Sequence, residues 1–167
     1  MTDTSHDSER LAKGQQVITA CAFIHKKFDG VHKVFLSKRS ETRKFLPGVY
    51  ELPGGHIEFG EDIVKGLERE IKEELNMDVS IGDPFDVFTY TNPVKKSHSI
   101  QVTYFAKFLN ALDDINVQVG EISDFGWFTE EEVKEKVICE TKTTEDGEIK
   151  AIFKAFAILK GASLRHE

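Results

Sequence analysis

The stretch from Gly54 to Met77, GGHIEFGEDIVKGLEREIKEELNM, constrains this chain more than any other. Ile63, Leu67, Ile71 and Leu75 recur at four-residue steps with Val64 beside them, the spacing that gathers apolar side chains on one helical face. A helix over Asp62 to Asn76 is therefore expected, its apolar stripe against a core. At about 100° per residue, Glu70, Glu73 and Glu74 share one arc of roughly 100° along the edge of that stripe. Like charges at i,i+4 destabilise a helix by about a few tenths of a kcal/mol, so something positive should offset them. Arg69 is one candidate. A divalent cation such as Mg²⁺, which takes hard oxygen ligands alongside waters and phosphate oxygens, is a better one. The alternative is a solvated acidic face, the commoner meaning of a Glu/Lys-rich helix taken alone. Gly54 and Gly55, just ahead, let backbone approach a ligand closely.

The rest of the chain sets broad bounds. A length of 167 residues with 40% hydrophobic and 31% charged residues suits one globular domain. A formal net charge of −7 argues against partners that need basic surface, namely nucleic-acid polymers and anionic membranes. Cys21 and Cys139 lack metal or redox spacing and have apolar neighbours, so buried free thiols in a reducing compartment are expected. No apolar run approaches a membrane span and no signal-peptide segment opens the chain, which points to a cytoplasmic protein. Residues 1–14 read as a polar, frayed tail and residues 15–167 as a single domain.

Gln16–His25 is β-branched and apolar, and Val34–Ser37 returns after the turn signal Asp29-Gly30, so the two form a hairpin. Val49–Leu52, Val79–Ile81, Phe85–Thr91, Ser99–Leu109 and Asp124–Phe128 read as further extended segments. Gly82-Asp83-Pro84 should break one of them, and Asn92-Pro93 marks a loop. Thr129 and Glu132 make a capping box at the start of a short helix. Glu148–Lys160 forms a last helix, with Ile149, Ile152, Phe153, Phe156 and Leu159 on one face and Gly161 capping it. Strands, a helix, more strands and then helices describe a mixed α/β domain. The basic residues Lys38, Arg39, Arg43 and Lys44 before Phe45 are either a solvated loop or a contact for phosphate.

Gly55, Glu61, Arg69, Glu70, Ile71, Glu73, Glu74 and Met77 fit G-x5-E-x7-R-E-U-x-E-E-x-G-U, with U aliphatic. This resembles the Nudix box of the Nudix hydrolases (MutT-like proteins). One position departs: Asn76 replaces the last glycine. Asn tolerates the left-handed helix terminus better than other residues with a side chain, so the departure is conservative. The resemblance implies an α/β/α sandwich around a mixed β-sheet. It also implies Mg²⁺-dependent, or Mn²⁺-dependent, hydrolysis of the pyrophosphate bond of a nucleoside diphosphate linked to another moiety. Modified nucleoside triphosphates, ADP-ribose and nucleotide sugars are the substrates in view.

Matched position by position, Glu73 and Glu74 would be direct metal ligands, and Glu70 would hold a further ion or accept a proton from water. The Gly54 carbonyl would be another ligand. Arg69 and Glu61 would form an ion pair orienting loop and helix. Glu121 is the choice for a further carboxylate, as ligand or general base, with Asp124 its competitor. Arg39 and Arg43 are candidates for substrate binding, and so is Trp127 by stacking on a base, although core packing is the commoner role for such a residue. Tyr90 and Pro93 fall where some subfamilies carry specificity markers. Two other classes of protein compete. One is a non-catalytic Nudix-fold module that senses a nucleotide. The other is an isomerase of isoprenoid diphosphates, which would need a cysteine and a glutamate paired at the site. The partner expected is a nucleotide-type small molecule; the oligomeric state, monomer or homodimer, is open.

Overall fold

The computed structural model describes residues 14–165. The tail expected over residues 1–14 lies, apart from Gly14, outside the described residues. The strands are β1 (Gln16–Phe28), β2 (Val31–Arg39), β3 (Tyr50–Glu51), β4 (Gly54–His56), β5 (Val79–Asn92), β6 (Ser97–Phe108) and β7 (Ile122–Phe128). The helices are α1 (Ile63–Leu75), a short α2 (Glu130–Glu132) that runs on through a widened turn over Val133–Val137, and α3 (Gly147–Leu159). Among the described residues, no helix is long and apolar enough to cross a membrane.

The sheet is mixed. β1 runs parallel to β6, while the β1–β2, β1–β4, β2–β3, β2–β7 and β5–β6 pairs are antiparallel. The strand β1 alternates strictly, as a strand buried on both faces must. Ala20, Ala22 and Ile24 pack with Leu67, Ile71 and Leu75 of α1. Cys21 and Phe23 pack with Ile149, Ile152 and Phe156 of α3. The two helices therefore cover opposite faces, which is the expected α/β/α sandwich.

β1 changes partner along its length, and this positions everything that follows. Its end at His25–Phe28 pairs with β2, whereas Thr19–Cys21 pairs with β4. Between those pairings the sheet splits, and Ala22 N–H donates instead to Pro53 O at 2.9 Å. β2, β3 and β7 pair with one another on one side of the split and β1, β4, β6 and β5 on the other, and the wedge between them is lined in part by the start of α3.

The turn Asp29-Gly30 has both residues at positive φ, 49° and 80°, which matches the twist of the flanking strands. The expected break at Gly82-Asp83-Pro84 is instead a pair of register shifts within one long β5. Pro84 is accommodated there because a bulge needs no ladder donor. The Thr129–Glu132 capping box is formed in both directions. Helix α1 is capped by Asp62, whose Oδ1 accepts from the Val64 and Lys65 amides at 3.1 and 3.0 Å. It ends at Asn76 with φ 55° and ψ 30°, the left-handed geometry inferred for the departure from the box. One expectation fails: Cys21 is buried but Cys139 is exposed, because the loop after Val137 turns its thiol outward toward Thr141.

Asn76→Ala is expected to lower stability by about 1 kcal/mol, since a side chain with no polar group gains nothing in this conformation, while Asn76→Gly should equal or exceed the parent. Urea denaturation of both variants checks this. Equal midpoints for the two would show that the helix terminus does not depend on left-handed geometry.

Candidate functional site: an acidic wall facing a cationic rim

The wedge between the two halves of the sheet is a cavity of about 300 Å³. One wall is Gly54, Gly55 and Glu74, with Cys21 and Glu51 beside them. Arg39, Arg43, Lys95 and Lys142 bring four cationic side chains to the same space.

The glycines are required by contact. Gly54 has φ 146°, and a Cβ there would stand 2.1 Å from Ala20 O and 2.7 Å from Cys21 Cα. A Cβ on Gly55 would stand 2.5 Å from Glu70 Oε2. The β4 backbone is thus pressed between β1 and the acidic edge of α1. Glu74 Oε2 accepts from the Gly54 amide at 3.2 Å, which ties helix to strand.

The three box carboxylates differ in their surroundings. The Glu70 side chain is 3% exposed and takes Arg69 Nη1 at 3.0 Å. The Glu73 side chain is 51% exposed and meets the same nitrogen at 3.2 Å. Glu74 lines the cavity. Burial pushes the Glu74 carboxyl well above the ordinary carboxylate range, and the Glu70 and Glu51 charges push it further. A carboxylate held at such a cost, beside two others, is the arrangement that a hard cation relieves. The donor set, carboxylate oxygens with a backbone carbonyl nearby, suits Mg²⁺ in kind. Among the described residues, no three acidic, histidine or cysteine side chains converge on one point. Glu70 and Glu73 are instead both hydrogen-bonded to Arg69 Nη1.

Arg69 is the hub of this edge. Its Nε and Nη2 meet Glu61 Oε1 and Oε2 at 2.7 and 3.1 Å, and Nη2 also donates to His56 O at 3.0 Å. The hydrogen bond to Arg69 holds the Glu61 carboxyl below its usual range. The same contact, reinforced by Glu70 and Glu73, holds the guanidinium above its own. Glu61 Oε2 further accepts from Glu58 N–H at 3.0 Å, so one ion pair fixes the loop against the helix.

The remaining expected residues divide. Glu121 lines the cavity and is ion-paired with Arg43, and its carbonyl accepts from Ser40 N–H at 2.9 Å. Asp124, its competitor, is exposed and takes the Tyr50 hydroxyl at 2.7 Å, outside the cavity wall. Arg39 is buried, with Nη1 3.1 Å from Glu51 Oε1 and Nε donating to Phe45 O at 2.9 Å. Trp127 is a correction. It does not line the cavity but packs edge-on to Phe28, Phe35 and Phe108 at 5.2, 5.6 and 6.1 Å, on the α1 face of the sheet. The alternation of β7 against β2 sends it there, because Trp127 lies opposite Phe35.

Several cavity residues carry no signal in the sequence. Lys142 sits in the loop before α3 and is buried 3.0 Å from Glu148 Oε1, which also accepts from the Leu52 amide at 2.9 Å. Burial works to discharge Lys142, but Glu148, Asp146 and Glu51 outweigh it and it stays protonated. Lys95, buried in the β5–β6 turn, lies 2.8 Å from His56 Nε2. Glu51 falls within the extended segment Val49–Leu52, which by itself marks no charged role for it. The Cys21 thiol lines the cavity, but burial and then Glu148, Glu51 and Glu74 push its pKa up, so it keeps its proton.

Comparison with known proteins bears on the family and the fold. The NUDIX domain model matches residues 16–150. The NAD-capped RNA hydrolase NudC of Pseudomonas aeruginosa is 29% identical over 90 residues, which are 54% of this chain and 30% of NudC. The uncharacterized Nudix hydrolase YfcD of Escherichia coli is 28% identical over 106 residues, 63% of this chain and 56% of YfcD. The chain thus spans about a third to about half of the curated relatives it matches. The MutT protein of Methanosarcina mazei superposes with a TM-score of 0.70 at 21% identity, over 90% of this chain and 99% of that one. With the box residues gathered on one edge of α1, the sandwich around a mixed sheet, and a domain match over most of the length, this chain belongs to the Nudix family.

Proposed function

We propose that the chain hydrolyses the pyrophosphate bond of a nucleoside diphosphate linked to another moiety, and that it needs Mg²⁺ or Mn²⁺ to do so. The observation that carries this reading is the mixture of charges lining one cavity. Glu74, Glu51 and Gly54 line it, with Glu70 behind Gly55, and Arg39, Arg43, Lys95 and Lys142 line the same space. A diphosphate needs both, since its oxygens take cationic side chains while metal ions bridge them to carboxylates.

In this reading Glu74, Glu70, Glu73 and the Gly54 carbonyl would hold the metal, which would supply charge stabilisation at the phosphoryl oxygens and a more acidic water. Arg69 positions these carboxylates, meeting Glu70 and Glu73 through Nη1 while Nε and Nη2 hold Glu61. Arg39 and Arg43 take substrate phosphate oxygens. A phosphate that draws Arg43 away leaves the Glu121 carboxylate facing the cavity, where it can accept a proton or complete the ligand set. The protonated Cys21 thiol offers no thiolate, which disfavours a reaction that would use one.

Glu74→Gln is expected to lower turnover of ADP-ribose, UDP-glucose or 8-oxo-dGTP, whichever the parent hydrolyses, by about 100-fold or more, because electrostatic stabilisation of the transition state is lost. Its melting temperature should stay at or above that of the parent, since the costly buried charge is removed. Phosphate release assays and thermal melts check both. Unchanged turnover would take Glu74 out of the site. Chelation with EDTA should abolish hydrolysis and added Mg²⁺ restore it; turnover that survives chelation would remove the metal from the reaction. Tight binding of a nucleotide with no turnover of any substrate would favour a sensing module instead. Arg69→Ala should cost stability by about 1–3 kcal/mol, because Glu61 and the buried Glu70 lose their shared counter-charge. A melt identical to the parent would show that Arg69 is not the hub of this edge.

A further inference from the structure

The cavity continues past the charged rim onto the open face of three adjacent strands. Thr19 of β1 lies opposite Gln101 of β6, and Gln101 lies opposite Phe88 of β5. Two residues along, Tyr90 lies opposite Ser99. Directly opposed residues in a sheet point to the same side, so all five side chains belong to one face. Thr19, Phe88, Tyr90 and Gln101 all line the cavity.

Two features of this floor have no structural explanation. The first is Gln101. Its side chain is buried at 3% exposure, and its Nε2 has no hydrogen-bond partner although its Oε1 meets Thr19 Oγ1 at 3.5 Å. Buried amide donors are almost always paired, so an orphan in a cavity wall is a donor kept for something else. The second is a ring pair. Phe45, carried over from the loop after β2, faces Tyr90 with planes 9° apart and centroids 6.2 Å apart. Both rings line the cavity, and the Tyr90 hydroxyl is anchored by Ser99 and Thr19. Arg39, itself at the charged rim, holds the Phe45 carbonyl. Two parallel aromatic rings and an unpaired donor among the residues lining one cavity suit a flat ring with an acceptor on its edge.

We propose that Phe45 and Tyr90 form the stacking platform for the heteroaromatic base of the substrate, and that the Gln101 amide hydrogen-bonds the edge of that base. This rests on the reading of the charged rim as a diphosphate site, and it names the moiety attached on the sheet side as a nucleobase. It also moves base recognition from Trp127, on the far face, to a loop and two strands on this one. Stacking tolerates any base, so the platform supplies affinity and Gln101 supplies the choice among bases.

Isothermal titration of the full chain with Mg²⁺ tests this, using ADP, GDP, CDP, UDP and inorganic pyrophosphate as probes. At least one nucleoside diphosphate should bind about 10-fold or more tightly than pyrophosphate, the share expected of a stacked base. Phe45→Leu and Tyr90→Leu should each remove most of that advantage while pyrophosphate affinity stays within about twofold, because only the base contact is lost. Tyr90→Trp, which keeps a flat face, should retain the advantage. Gln101→Leu should alter the ranking of the four bases. Equal affinity for pyrophosphate and all four nucleotides would overturn the inference, as would leucine variants that weaken pyrophosphate and nucleotide alike. Because the readout is binding, a base advantage without turnover of any substrate would defeat the hydrolase reading and leave this inference standing. Turnover without a base advantage would defeat this inference alone.

Discussion

The approach of Gly54 and Gly55 to β1 is the contact on which the rest of the structure depends. A side chain at Gly54 would enter the Ala20 carbonyl and the Cys21 backbone, and one at Gly55 would displace the Glu70 carboxylate from its place beside the strand. This close packing lets β4 take over β1 at Thr19–Cys21, and so forces β2 away and opens the wedge. The same contact brings the acidic edge of α1 to within hydrogen-bonding distance of the strand, through Glu74 and the Gly54 amide. Fold and cavity are thus one construction.

Charge is distributed around that split in a strained but balanced way. Burial and the Glu70 and Glu51 charges raise the cost of ionising Glu74, and the Gly54 amide and Arg39 offset part of it. Lys142 and Glu148 form a further buried pair at the start of α3. Buried pairs of this kind contribute little net stability, because desolvation consumes most of the attraction. Their persistence in a cavity is better explained by ligand binding than by stability, since perturbed titratable groups gather where chemistry needs them. Arg69 ties three carboxylates, Glu61, Glu70 and Glu73, to one edge of the fold.

Much of this was legible in the sequence because local physics wrote it there. The four-residue apolar rhythm of α1, the left-handed Asn76 terminus, the Asp29-Gly30 turn and the Thr129 capping box all depend on near neighbours, and each has its expected form. Acidic residues within one helical turn could be placed on one edge for the same reason. What depended on distant partners was not legible. Trp127 could not be assigned to a face without knowing that β7 pairs with β2 in the register that sets it opposite Phe35. Lys142, Lys95 and Gln101 lie 41 to 88 positions beyond Gly54 and reach its neighbourhood only through sheet pairing and the packing of α3. Pro84 was taken for a break because a bulge cannot be told from a loop end without the partner strand. Cys139 looked buried from its apolar neighbours, but its loop turns the thiol outward.

The most direct test of the proposed metal site is a nuclear magnetic resonance measurement of paramagnetic broadening, with substoichiometric Mn²⁺ and ADP added to the ¹⁵N-labelled chain. Broadening should be greatest at the amides of Gly54, Gly55, Glu70 and Glu74 and fall off with distance along α1 and β4. Broadening centred on another acidic stretch, such as Asp113-Asp114 or Glu130–Glu132, with the Gly54 and Glu74 amides left sharp, would contradict the claim that the split in the sheet is where the metal and the diphosphate meet.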